Sequence, residues 1–132
     1  MRSPVFASGV AELMLREGRP VRITALGSCM EPTFSEGATL DLKPVRDLLP
    51  RAGDLVAVLI NGRVKTHRLV ELGADTVRTT PDQGLADAPL PRSALLGTVT
   101  HINGRPAGAT FTSYFRRLRT SLRVHLGALR HG

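Results

Sequence analysis

The chain has a single cysteine, Cys29, set in Gly27-Ser28-Cys29-Met30-Glu31-Pro32-Thr33 between two strand-like segments. A nucleophile on a tight turn after a strand is exposed, and its own backbone N–H can face a developing oxyanion. A thiol ionises near about 8.5 in reference peptides, so at neutral pH it needs a base or a positive neighbour to act as thiolate. The candidate base is His67, in Val64-Lys65-Thr66-His67-Arg68-Leu69. Strand alternation puts Lys65, His67 and Leu69 on one face and Thr66 and Arg68 on the other. Lys65 is therefore the alternative base. A histidine near about 6.5 suits proton exchange at neutral pH better than a lysine near about 10.4. Asp82 and Asp87, in one polar loop, are both candidates to orient the imidazole and complete a Cys-His-Asp arrangement. Singly, each of these residues has a plain structural explanation. A lone cysteine is more often a small buried hydrophobe, and loop aspartates are usually turn formers.

Elements must exist to bring these residues together. Ser3-Pro4 followed by Phe6, Val10, Leu13 and Met14 predicts a helix over residues 4–17, with Gly18 as its stop. Alternation then predicts strands over residues 21–26 and 39–43. Asn61-Gly62 between two apolar runs, 55–60 and 63–70, predicts a two-residue hairpin. A short strand follows at 75–80, then an irregular loop from Pro81 to Pro91 with three prolines. A second Asn-Gly at 103–104 predicts a hairpin of residues 94–102 with 105–111. The expected body is mainly β, with a helix at each end: an N-terminal helix over 1–18, a β domain over 19–111 and a last helix over 112–132.

Of the 132 residues, 42% are hydrophobic and 22% charged, ordinary for a globular chain and unlike a disordered tail. The longest apolar run, Leu55 to Ile60, falls far short of the roughly 20 residues a membrane span needs. No secretory leader is expected at the start, and one cysteine forms no intrachain disulfide, so a reducing, cytoplasmic setting is expected. His101, His125 and His131 have no partners at metal-ligand spacing, so neither metal nor cofactor is expected. The charge is uneven: residues 88–132 hold seven arginines and no acid, and so carry the whole net +7. The predicted last helix has Phe115, Leu118, Leu122, Leu126 and Leu129 on one stripe and Arg116, Arg117, Arg119, Arg123 and Arg130 elsewhere. It reads either as a helix docked on the β core or as an in-plane helix seating the domain on anionic lipid. Nucleic acid is the weaker partner, with no recognition motif and only Tyr114-Phe115 for stacking.

Gly27-Ser28-Cys29-Met30-Glu31-Pro32-Thr33 resembles the nucleophile box of type I signal peptidases, Gly-x-Ser-Met-x-Pro-Thr, with cysteine in place of serine. Glu36-Gly37, Arg51-Ala52-Gly53-Asp54-Leu55-Val56 and Thr66-His67-Arg68-Leu69 follow in the order that family shows. Histidine followed by arginine resembles the archaeal, endoplasmic-reticulum and sporulation-type branch, which uses histidine as base. Asp82 and Asp87 keep that branch's five-residue spacing, although proline replaces the glycine before Asp82. Leu96-Gly97-Thr98-Val99 resembles the closing strand. The likeness spans about residues 20–100 and extends to the self-cleaving repressors of the same superfamily, which keep a lysine base.

The resemblance implies a coiled antiparallel β core and a peptidase, a hydrolase acting on a peptide or pre-protein. It implies Cys29 as nucleophile, His67 as base and Asp87 or Asp82 as orienting acid. Met30 and Pro32 would shape the substrate groove. Gly27 offers no hydroxyl to the oxyanion, and Ser28 would help only with its side chain turned inward. A substrate strand is expected beside residues 21–30. The alternative is a catalytically inactive peptide-binding or scaffold module of the same fold. A self-cleaving regulator is the third reading, disfavoured because residues 1–20 are too few for a DNA-binding domain.

Overall fold

The computed structural model describes residues 4–108, with side chains from residue 9 onward. The basic helix expected over 112–130, with Arg116, Arg117, Arg119 and Arg123, lies outside the described residues, as does the end of the strand expected over 105–111.

The first element is the helix α1 (Pro4–Arg16). It ends in a Schellman arrangement: Gly18, at φ +84°, donates to Leu15 O, and Arg19 donates to Met14 O. Ala11 and Leu15 face inward and are buried. Among the described residues eight strands follow: β1 (Val21–Thr24), β2 (Thr39–Pro44), β3 (Leu55–Ile60), β4 (Arg63–Leu72), β5 (Thr76–Thr80), β6 (Leu90–Pro91), β7 (Leu95–Ile102) and β8 (Arg105–Pro106). They form one curled antiparallel half-barrel in the order β1-β2-β7-β3-β4-β5-β6, with β8 on β7. The protein is mainly β.

The continuous apolar run of β3 is explained by its place between β4 and β7. Leu55 and Ala57 join the core on one face with Leu15, Met30, Phe34 and Leu40, while Val56 and Val58 join Leu69 and Val77 on the other. Both Asn-Gly turns have positive φ at both residues, 51° and 76° at 61–62 and 52° and 80° at 103–104, the geometry that matches strand twist. The second hairpin is shorter than expected. Its return strand is only Arg105–Pro106, because proline has no N–H to extend a ladder and the chain turns helical at 107–108.

At the sheet edge, Arg22 of β1 pairs with Asp41 of β2 at 2.6 Å. Its hydrogen bond holds the Asp41 carboxyl below the usual carboxylate range. An exposed pair of this kind fixes register more than it adds stability. Gly97 matters more. A Cβ there would lie 2.8 Å from Lys43 O and 3.1 Å from Leu15 Cδ2, so α1, β2 and β7 meet only because the side chain is missing. Gly97→Ala is expected to cost about 1–3 kcal/mol through overpacking, read as a lower urea midpoint at unchanged slope. An unchanged midpoint would mean that the helix sits loosely.

Candidate active site

β1 runs out at Thr24, and the chain then folds back on itself before β2. Ala25 exchanges hydrogen bonds with Ala38 and Gly37, and Gly27 N–H donates to Glu36 Oε1. Met30 and Phe34, bonded backbone to backbone, bury their side chains in the core and anchor the turn from below. Cys29 immediately precedes Met30 and is half-buried. Its N–H donates to no group among the described residues, which leaves it available to a carbonyl oxygen.

Across from this turn, β4 presents His67, 5% exposed. Cys29 Sγ lies 3.6 Å from His67 Nε2, and His67 Nδ1 lies 2.6 Å from Asp87 Oδ2. The same carboxylate oxygen accepts from Thr79 Oγ1 at 2.6 Å, while Asp87 N–H donates to Thr79 O. With the Nδ1 proton held on Asp87, Nε2 turns its lone pair toward the thiol. The result is one continuous relay from sulfur to imidazole to carboxylate, closed by a hydroxyl.

The two aspartates have different places. Asp87 meets the imidazole. Asp82, the other candidate for that position, is taken up elsewhere: its side chain is fully buried against Arg68, Nη2 to Oδ2 at 2.8 Å and Nε to Oδ1 at 3.3 Å. Alternation along β4 is the reason, since it sends Arg68 to the face opposite His67. Arg68 also donates to Thr33 Oγ1 and to Gly53 O, and Thr33 Oγ1 donates to Asp82 Oδ2. The backbone repeats these ties. Gln83 N–H donates to Cys29 O and its side chain to Glu31 O, while Asp82 N–H points at Met30 Sδ. The loop that carries Asp87 is thus stitched to the turn that carries Cys29.

A groove of about 240 Å³ opens beside the thiol between residues 24–27 and residues 63–67. Gly27 and Met30 line it, Met30 as a buried floor; Ser28 and Pro32 are exposed and do not. Ser28 therefore turns no hydroxyl inward. Lys65 lies on the groove wall, exposed, two residues from the histidine that holds the thiol. Thr79 was not among the residues the sequence singled out, although an inward-facing threonine at a buried strand position is a signal of a polar partner. No protein-family model and no curated protein matches the chain. Among the described residues, no group of three or more His, Cys, Asp or Glu side chains is arranged to hold a metal.

Proposed function

We propose that the protein is a signal-peptidase-like thiol endopeptidase that processes a peptide or pre-protein. The observation carrying this reading is the Cys29–His67–Asp87 relay at the edge of a groove. His67 Nε2 takes the Cys29 proton as sulfur attacks the scissile carbonyl carbon, forming the C–S bond. The developing oxyanion faces the Cys29 N–H. Collapse breaks the C–N bond, the amine leaves with the proton held by His67, and a thioester remains on sulfur. His67 then deprotonates a water that attacks the thioester, and the thiol is regenerated. Asp87 fixes the tautomer throughout and balances the charge the ring acquires; Thr79 holds Asp87 in place.

The substrate would lie as an extended strand beside residues 21–30, a mode that suits the position of β1 at the sheet edge. Among the described residues no helix is long and apolar enough to cross a membrane. The signal-peptidase-like reading of the sheet rests on the order of the motifs along the chain.

The test is iodoacetamide alkylation of Cys29 across pH 5–10. Thiolate is the reacting species, so His67→Ala is expected to slow alkylation at pH 7 by about ten-fold and leave the high-pH plateau unchanged. Equal profiles would show the thiol and imidazole uncoupled. The reading would then give way to an inactive peptide-binding module.

A further inference from the structure

The groove beside Cys29 is positively charged by design of one strand. Arg63, Lys65 and His67 fall at alternate positions of β4, and β3 pairs them with Ile60, Val58 and Val56. All three therefore share a face at intervals of about 6.5–7 Å. Arg63 and Lys65 line the groove, both exposed, and no carboxylate lines it. Among the described residues neither is in an ion pair. The other wall, Thr24 to Gly27, is uncharged. β5 takes up the outer edge of β4 only from Arg68 onward, so Arg63–His67 is the stretch that runs along the groove.

An extended peptide has the same two-residue period as β4. With its scissile carbonyl at Cys29 and His67, the residues two and four positions away on one side fall opposite Lys65 and Arg63. We propose that the substrate is an acidic peptide, with Asp or Glu at those two alternate positions, and that Lys65 and Arg63 select it. This deepens the peptidase reading and rests on it for the placement of the scissile bond. A single-stranded nucleic acid would need a ring on which to stack its bases, and the one aromatic side chain lining the groove, Phe34, is buried in the core.

The experiment uses the full chain and three fluorescein-labelled decapeptide pools. Each has a random Ala, Ser, Leu and Val background with Glu, Gln or Lys at alternate positions. Binding is read by anisotropy and cleavage by mass spectrometry. The Glu pool is expected to bind at least ten-fold more tightly than the Lys pool, less so in 0.5 M salt, and R63E/K65E is expected to reverse the order. Equal binding of the pools, no binding of any, or the same preference in R63E/K65E would overturn the proposal. So would displacement of the Glu pool by an equimolar oligothymidylate. Charge-selective binding with no cleavage would uphold the acidic selectivity and end the peptidase reading; cleavage without charge preference would do the reverse.

Discussion

Asp87→Asn is expected to leave the fold in place and lower peptide turnover and Cys29 alkylation at pH 7 by about 10²–10³-fold. The size follows from what one carboxylate oxygen does. Asp87 Oδ2 accepts from both His67 Nδ1 and Thr79 Oγ1, so it is the fixed point of the relay. An amide that turns its NH₂ toward the ring demands a lone pair on Nδ1, which moves the ring proton to Nε2 and leaves the Cys29 thiol facing a donor. An amide that turns its oxygen keeps the tautomer but supplies no charge to balance a protonated ring. Either way the proton transfer from sulfur is impaired. In a serine triad the corresponding loss is about 10⁴-fold, because a hydroxyl depends wholly on its base. A thiol starts much closer to ionisation, so the expected loss is smaller. The Asn variant should unfold within about 1 kcal/mol of wild type, since its shape and the Thr79 contact are kept. Turnover within a factor of three of wild type would show that Asp87 has no part in the chemistry.

Thr79→Val gives the companion measurement. It removes the hydroxyl but not the carboxylate, so it acts only by letting Asp87 swing. A drop smaller than that of Asp87→Asn, with an unchanged alkylation plateau at high pH, marks Thr79 as a positioning residue.

The parts of this molecule that are local in sequence were legible there. Asn61-Gly62 and Asn103-Gly104 announce hairpins because few residue pairs tolerate two positive φ angles, and both turns have them. The apolar run 55–60 reads as one arm of the first hairpin, and β3 is that strand; its burial on both faces follows from its place between β4 and β7. Cys29 and His67, with Asp82 and Asp87 as alternative acids, were candidates by residue type, and the resemblance to the signal-peptidase motifs joined them into one site. Which aspartate meets the histidine was not readable, because Asp82 and Asp87 sit in one loop and differ only in where that loop folds. The decision is made by Arg68, whose strand face points away from His67 and draws Asp82 with it. Nor could the sequence show that Thr33, Gly53 and Asp82, far apart along the chain, converge on one guanidinium. Long-range polar closure of this kind leaves no periodic trace. The short β6, the 3₁₀ turn at Arg92–Ala94 and the curtailed β8 were hidden for the opposite reason, since two or three residues carry no period at all.

That guanidinium is where the largest loss of stability is expected. The side chains of Arg68 and Asp82 are both fully buried, and among the described residues no buried side-chain polar atom lacks a partner. Arg68→Met would leave the Asp82 carboxylate in the interior with only Thr33 and no counter-charge. Breaking a buried pair from one side typically costs about 3–5 kcal/mol, a large share of the roughly 5–15 kcal/mol that holds a domain folded. Urea unfolding should therefore show a much lower midpoint for Arg68→Met, and for Asp82→Leu as well. The double variant R68M/D82L separates stability from positioning. With both charges gone no buried charge is left unpaired, and part of the lost stability should return, as replacement of buried pairs by apolar residues is often neutral, less the bonds that Thr33 Oγ1 and Gly53 O made to the pair. Function should not return with it. Arg68 joins three loops, through Thr33 beside the nucleophile turn, Gly53 before β3 and Asp82 in the loop that holds Asp87. A methionine and a leucine pack, but they do not fix direction. Cys29 in the stable double variant should alkylate with a pH profile close to that of His67→Ala. A double variant that regains both stability and the wild-type profile would show that the backbone ties from Gln83 and Asp87 alone align the relay.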